Sequence, residues 1–75
     1  SVDINNYKQD RYSKLSNMAR RVARNVSRSQ VDASLDPMPS DERRIVHQAL
    51  ANYRGVVTES IGEGQDRHIV IRHED

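Results

Sequence analysis

Between Tyr7 and Ser27 the chain has no glycine or proline, and its apolar residues recur at the period of an α-helix. Leu15, Ala19, Val22 and Val26 stand at i, i+4, i+7 and i+11, with Tyr12 and Met18 flanking the stripe. The spacing predicts one amphipathic helix from Tyr7 to Ser27. Such a helix is held by what covers its stripe rather than by its own propensity, so the rest of the chain must supply the cover. It has little material for the task. Leu, Ile, Val and Phe make up 16 of 75 residues, which borders on disorder, but disorder usually comes with a large charge imbalance and the net charge is only +1. A small globular domain with a thin core is expected. Without cysteine there is no disulfide, no thiolate zinc site and no cysteine nucleophile. No apolar run reaches the ~18 residues of a membrane span and no signal-peptide pattern opens the chain. These features point to a soluble, intracellular-compatible protein without membrane insertion.

The remaining segments read as short elements. Val2-Asp3-Ile4 alternates like the end of a strand from an upstream unit, and the missing initiator Met fits a piece of something longer. Val31, Ala33 and Leu35 alternate with polar residues, which predicts a half-buried strand stopped by Asp36-Pro37-Met38-Pro39. Pro39 suits the first turn of a second helix, and Asp41 and Glu42 suit its positive end. Ile45, Val46, Ala49, Leu50 and Tyr53 form that helix's apolar stripe, with Gly55 as its stop. Val56 to Ile61 and His68 to Arg72 read as two strands of a hairpin around the Gly62–Asp66 turn. The expected fold is a two-layer α+β domain in the order α-β-α-β-β, with two helices on one face of a three-stranded sheet.

The small net charge hides a segregation. Residues 1–30 carry +5, residues 31–66 carry −4, and the last nine balance. On the first helix Arg20, Arg24 and Arg28 fall opposite the apolar stripe, a basic face suited either to an anionic partner or to plain solvation.

On the second helix Arg43 and His47 stand one turn apart, at the border of the apolar stripe, with Arg54 near the same line. A guanidinium fork beside an imidazole is good phosphate-binding chemistry. The same spacing also suits a structural role, with Arg43 bracing Asp36 or Glu59. Gly62 and Gly64 serve either the turn's positive φ angles or a loop that closes over a nucleotide; neither a Walker loop nor a dinucleotide fingerprint is present. His47, His68 and His73 have poor metal-ligand spacing, and no metal or other cofactor is expected. A ribonuclease-like acid–base pair of His47 and His68 rests on residue type alone. The strands carry no aromatic residue for base stacking.

The run from Leu35 to Leu50, with Asp41-Glu42-Arg43-Arg44-Ile45-Val46-His47 at its centre, resembles the R-three-H domain, named for Arg-x-x-x-His. It is most similar to that of the bacterial Jag family, also called KhpB, EloR or SpoIIIJ-associated. Thr58-Glu59-Ser60, Gly62-Glu63-Gly64 and Arg67-His68-Ile69-Val70-Ile71 continue the likeness in order, so it covers residues 7–72. Asp41 departs from the family pattern, where an aromatic or apolar residue is common. Residues 1–6 are similar to the junction with an upstream KH domain, which makes residues 7–75 the R-three-H domain proper. The resemblance implies a noncatalytic module that binds single-stranded RNA or DNA. It further implies a cytoplasmic RNA-binding regulator of cell elongation and division, with a small KH-domain protein as partner. It carries Arg43 and His47 over as the signature pair, with Arg44, Arg67, Gly62 and Gly64 at matching positions nearby. Arg20, Arg24 and Arg28 are added from the charge pattern. The other reading is a protein-interaction module whose basic helix or sheet edge docks a partner domain.

Overall fold

The computed structural model describes residues 4–74. The unbroken helical pattern becomes α1, Ile4–Ser29, longer at its start than the apolar stripe alone demands. The strand end expected over residues 2–4 lies outside the described residues for Val2 and Asp3, while Ile4 is already helical. A strand needs a neighbour for its backbone hydrogen bonds, whereas a helix that is already propagating gains one with each added residue. At the other end Gln30 adopts a left-handed conformation (φ 61°) and its N–H bonds to the Val26 carbonyl at 2.8 Å, closing the helix as a left-handed cap does.

That cap turns the chain outward, so Val31 is 66% exposed and the first strand, β1, is only Ala33–Ser34. The expected half-buried strand from Val31 is therefore shorter than the alternation suggested. Its attachment is reinforced from both ends. Leu35 N–H donates to the Ile69 carbonyl at 2.8 Å. Asp32 accepts the backbone N–H of His73 at 3.0 Å and pairs with Arg72 at 3.6 Å. The bond from the His73 N–H, followed by that from its side chain, holds the Asp32 carboxyl below its ordinary range. Its contribution is present above the ordinary carboxyl range and is lost as the pH falls through the lowered value.

The second helix, α2, spans Ser40–Leu50, with Pro39 just ahead of it as the cap residue rather than inside the first turn. It ends earlier than Gly55. The Ala51 N–H bonds back to Gln48 and that of Tyr53 to Leu50, a tightened last turn. Arg54 therefore lies beyond the helix and does not extend the line of Arg43 and His47. The last two strands, β2 (Val56–Ile61) and β3 (His68–His73), match the sequence reading closely. They pair antiparallel with Thr58 opposite Ile71 and Ser60 opposite Ile69, and the sheet order is β1-β3-β2.

This register puts Val56, Thr58 and Ser60 on the same face as Ala33, Ile69 and Ile71, the face that both helices cover. The core consists of Ala19, Ala23 and Val26 from α1, Val46 and Leu50 from α2, and Val56, Ile69 and Ile71 from the sheet. Polar contacts tie the two helices at their starts. The Tyr12 hydroxyl donates to Asp41 at 2.8 Å, and Arg11 reaches Glu42 through two nitrogens at 3.3 and 3.4 Å. Ile71→Ala is expected to cost about 2–5 kcal/mol, while Val57→Ala, on the exposed face, costs less than about 0.5 kcal/mol. Urea unfolding of the two variants measures the difference.

Candidate nucleic-acid interface

Val46 and Leu50 point into the core and fix the rotation of α2. Residues at −3 and +1 from Val46 then fall on the rim that faces β2. These are Arg43 and His47, both half-buried. His47 Nδ1 and Thr58 Oγ1 share a hydrogen bond at 2.6 Å, which ties α2 to the middle of β2. The imidazole is thereby oriented, with Nε2 as the ring nitrogen that Thr58 does not use. Burial, and secondly the positive charge of Arg43, push the His47 pKa below its ordinary 6.5. The ring is therefore neutral at neutral pH and gains its charge only below 6.5.

Arg43 braces neither acid considered from the sequence. Glu59 instead accepts from Arg72 Nε at 2.6 Å on the opposite face of the sheet. Among the described residues Arg43 Nη1 is buried and has no hydrogen-bond partner. A buried N–H of a cation left unpaired is costly, and a negatively charged acceptor is the ligand that relieves it.

Arg43, Arg44, His47 and Arg67 line one open depression of about 340 Å3, together with the hydroxyls of Ser40 and Ser60. Four of the residues predicted from the motif are thus brought together around one concave surface. Three are guanidinium groups, and no carboxylate lines the depression. The adjoining hollow, reached past Arg43, is bounded by Pro37, Pro39, Gly64 and Gln65. Gly64 therefore belongs to the same rim through its backbone.

Gly62 has a different part. Its carbonyl accepts from Arg67 Nη1 at 3.0 Å and so steadies one of the cations. At φ +91° a Cβ there would lie 2.9 Å from the Asp66 carbonyl oxygen, whereas Gly64 (φ +57°) has nothing within 4 Å. The turn is folded down by a 3-10 segment over Gly64–Asp66. Arg20, Arg24 and Arg28 are exposed on α1, outside the lining of this depression.

His68 pairs with Ile61 on the sheet face opposite Thr58, and its Nδ1 bonds to the Asp66 carbonyl at 2.8 Å. His47 and His68 are separated by the sheet and do not form an acid–base pair. Among the described residues no group of three His, Cys, Asp or Glu side chains is arranged to hold a metal ion. No helix among them is long and apolar enough to cross a membrane. Thr58 and Ser60 enter the sequence reading only as part of the family likeness, and neither they nor Ser40 and Gln48 are read there as site residues. The signal for Thr58 and Ser60 was present: they are polar residues in register with Val56 on the inward face of a strand.

The fold agrees with comparisons to known proteins. The model of the R-three-H domain family matches residues 13–73, and the chain belongs to that family. The protein named "RNA-binding protein KhpB" from Bacillus subtilis (strain 168) is 41% identical over 75 residues, covering 97% of this chain and 36% of its own. The protein of the same name from Clostridium symbiosum is 43% identical over 70 residues, covering 93% of this chain and 32% of its own. That from Lactiplantibacillus plantarum is 37% identical over 70 residues, covering 93% and 22%. The chain thus spans about a third or less of the length of these relatives.

Two outcomes follow for the rim. In an NMR titration the His47 imidazole should show a midpoint below 6.5, moving upward in Arg43→Ala; a midpoint at or above 6.5 in the parent contradicts the geometry. Gly62→Ala should lower the melting temperature more than Gly64→Ala, since only the first meets backbone as well as an unfavourable φ.

Proposed function

We propose that this domain is a noncatalytic module that binds single-stranded RNA, and single-stranded DNA through the same contacts. The observation that carries the reading is the buried, unpartnered Nη1 of Arg43 in a depression where Arg44 and Arg67 converge beside His47. A phosphodiester oxygen supplies the acceptor that nitrogen lacks, with the Arg43 guanidinium turning outward into the depression to donate to it. The neutral His47 contributes a hydrogen-bonding nitrogen rather than charge. The names of the relatives, each an RNA-binding protein, favour RNA over DNA as the cellular ligand.

The reading extends to the longer protein that the resemblance implies. An upstream KH domain then precedes α1, and the whole acts as a cytoplasmic regulator of cell elongation and division with a small KH-domain protein as partner. Affinity of the isolated domain is weak because few phosphates are engaged and no aromatic ring lines the depression. A linked KH domain raises it through effective concentration.

Fluorescence anisotropy with a labelled oligouridylate tests this. Engagement of ~3 phosphates gives a slope of log affinity against log salt of about −2, so affinity falls roughly fifteenfold between about 50 and 200 mM salt. Salt-independent binding, or none at low salt, sinks the reading. Arg43→Ala is expected to weaken binding by about tenfold with the domain still folded by circular dichroism. Unfolding instead would assign Arg43 to the scaffold. Binding also tightens as the pH falls through the lowered pKa of His47, because the ring then gains a charge.

A further inference from the structure

The depression around Arg43 does not end at α2. Gln48, exposed on the outer side of that helix, lines it and also lines a second, larger groove of about 480 Å3 between α1 and α2. The far wall of this groove comes from α1: Tyr12, Ser13, Asn17 and Arg20. Crossing from one concavity to the other means passing over a single helix, a width of ~10 Å.

The groove's chemistry matches its neighbour's in sign and differs in kind. Arg20 is the cation of its lining, which contains no carboxylate. Its guanidinium donates one long hydrogen bond, 3.4 Å to Asn17 Oδ1. At the end of the groove Asp41 accepts from the Tyr12 hydroxyl, and Glu42 accepts from Arg11. The rest of the lining is hydroxyl and amide, with Ile45 and Ala49 as floor. Such groups donate and accept as base edges and ribose hydroxyls require. Tyr12 brings an aromatic ring to the end of the groove, and its bond to Asp41 holds that ring in place.

We infer that the groove between α1 and α2 is a second subsite for the same single strand, which leaves the Arg43 depression, crosses α2 over Gln48 and seats its next nucleotide between the helices. Arg20 holds a phosphate there, Asn17 and Ser13 meet base or ribose, and the Tyr12 ring walls the end. This rests on the function proposed above. A strand is favoured over a protein partner because the groove continues the cationic rim and offers mainly polar donors and acceptors. Arg24 and Arg28, one and two turns beyond Arg20 on the same helical row, add an attracting field without lining either concavity.

The test uses the same chain with two probes, a uridine dinucleotide and an oligouridylate long enough to cross α2. Arg20→Ala should weaken the longer probe about fivefold and reduce its salt slope by about 0.7, the contribution of one phosphate on a single strand. The dinucleotide should bind unchanged, and Arg20→Lys should restore most of the loss. Amide shifts at Ser13, Asn17 and Gln48 should respond to the longer probe only. Arg21→Ala, another exposed arginine on α1 outside the groove, is the control. If Arg20→Ala is silent while Arg43→Ala weakens both probes, the second subsite is wrong and the first stands. An Arg21→Ala effect equal to that of Arg20→Ala reduces the groove to diffuse attraction and overturns the inference. Loss of neither probe in Arg43→Ala removes the underlying reading itself.

Discussion

The close seating of α1 and α2 against each other and against one face of the sheet is the constraint on which the rest of this structure depends. Ala19 and Ala23, both fully buried, put the smallest side chains of α1 at the core. Small residues there let the helix backbone come near Val46, Leu50, Ile69 and Ile71 without a cavity. In a chain this poor in bulky apolar residues, that economy is necessary. Larger residues at 19 and 23 would lift α1 away and leave the few isoleucines and valines half covered.

With α2 rotated so that Val46 and Leu50 point inward, the positions of Arg43 and His47 are no longer free. They fall on the flank facing β2, where Thr58 captures the imidazole and Ser60 stands close by. The same rotation turns Arg44 and Gln48 outward and brings Ile45 and Ala49 to the α1 side. One helix thus presents a cationic flank, an exposed crest and a polar groove in succession. The burial that lowers the His47 pKa and isolates Arg43 Nη1 is a consequence of the packing that stabilises the domain. The chemistry of this flank and the core packing are set by one rotation angle.

Local pattern carried much of the fold. The strands β2 and β3, and the body of both helices, follow from periodicities of 2 and 3.6, because burial on one face imposes those repeats on the sequence. The departures occur where local pattern meets a competing local or tertiary term. Val31 alternates correctly for a strand, but the left-handed turn at Gln30 carries it outward. Gly55 resembles a helix stop, yet α2 closes five residues earlier through bonds to Gln48 and Leu50. The Arg43–His47 pair was legible as a motif, and so was the region of Arg67 and Gly64. The roles of Thr58, Gln48 and Tyr12 were not, since each acts through a partner distant in sequence.

The sequence by itself determined the order of elements, the inward faces, the segregation of positive charge and the placement of Arg43 and His47 one turn apart. Those are properties of spacing along a chain, and spacing is written directly in the residues. Only the tertiary structure decided that Arg20 of α1 and the motif of α2 border neighbouring concavities joined at Gln48. It also decided that Glu59 serves Arg72 rather than Arg43, and that His47 and His68 lie on opposite sides of the sheet. These depend on helix rotation and strand register, which are fixed when core side chains compete for the same buried volume.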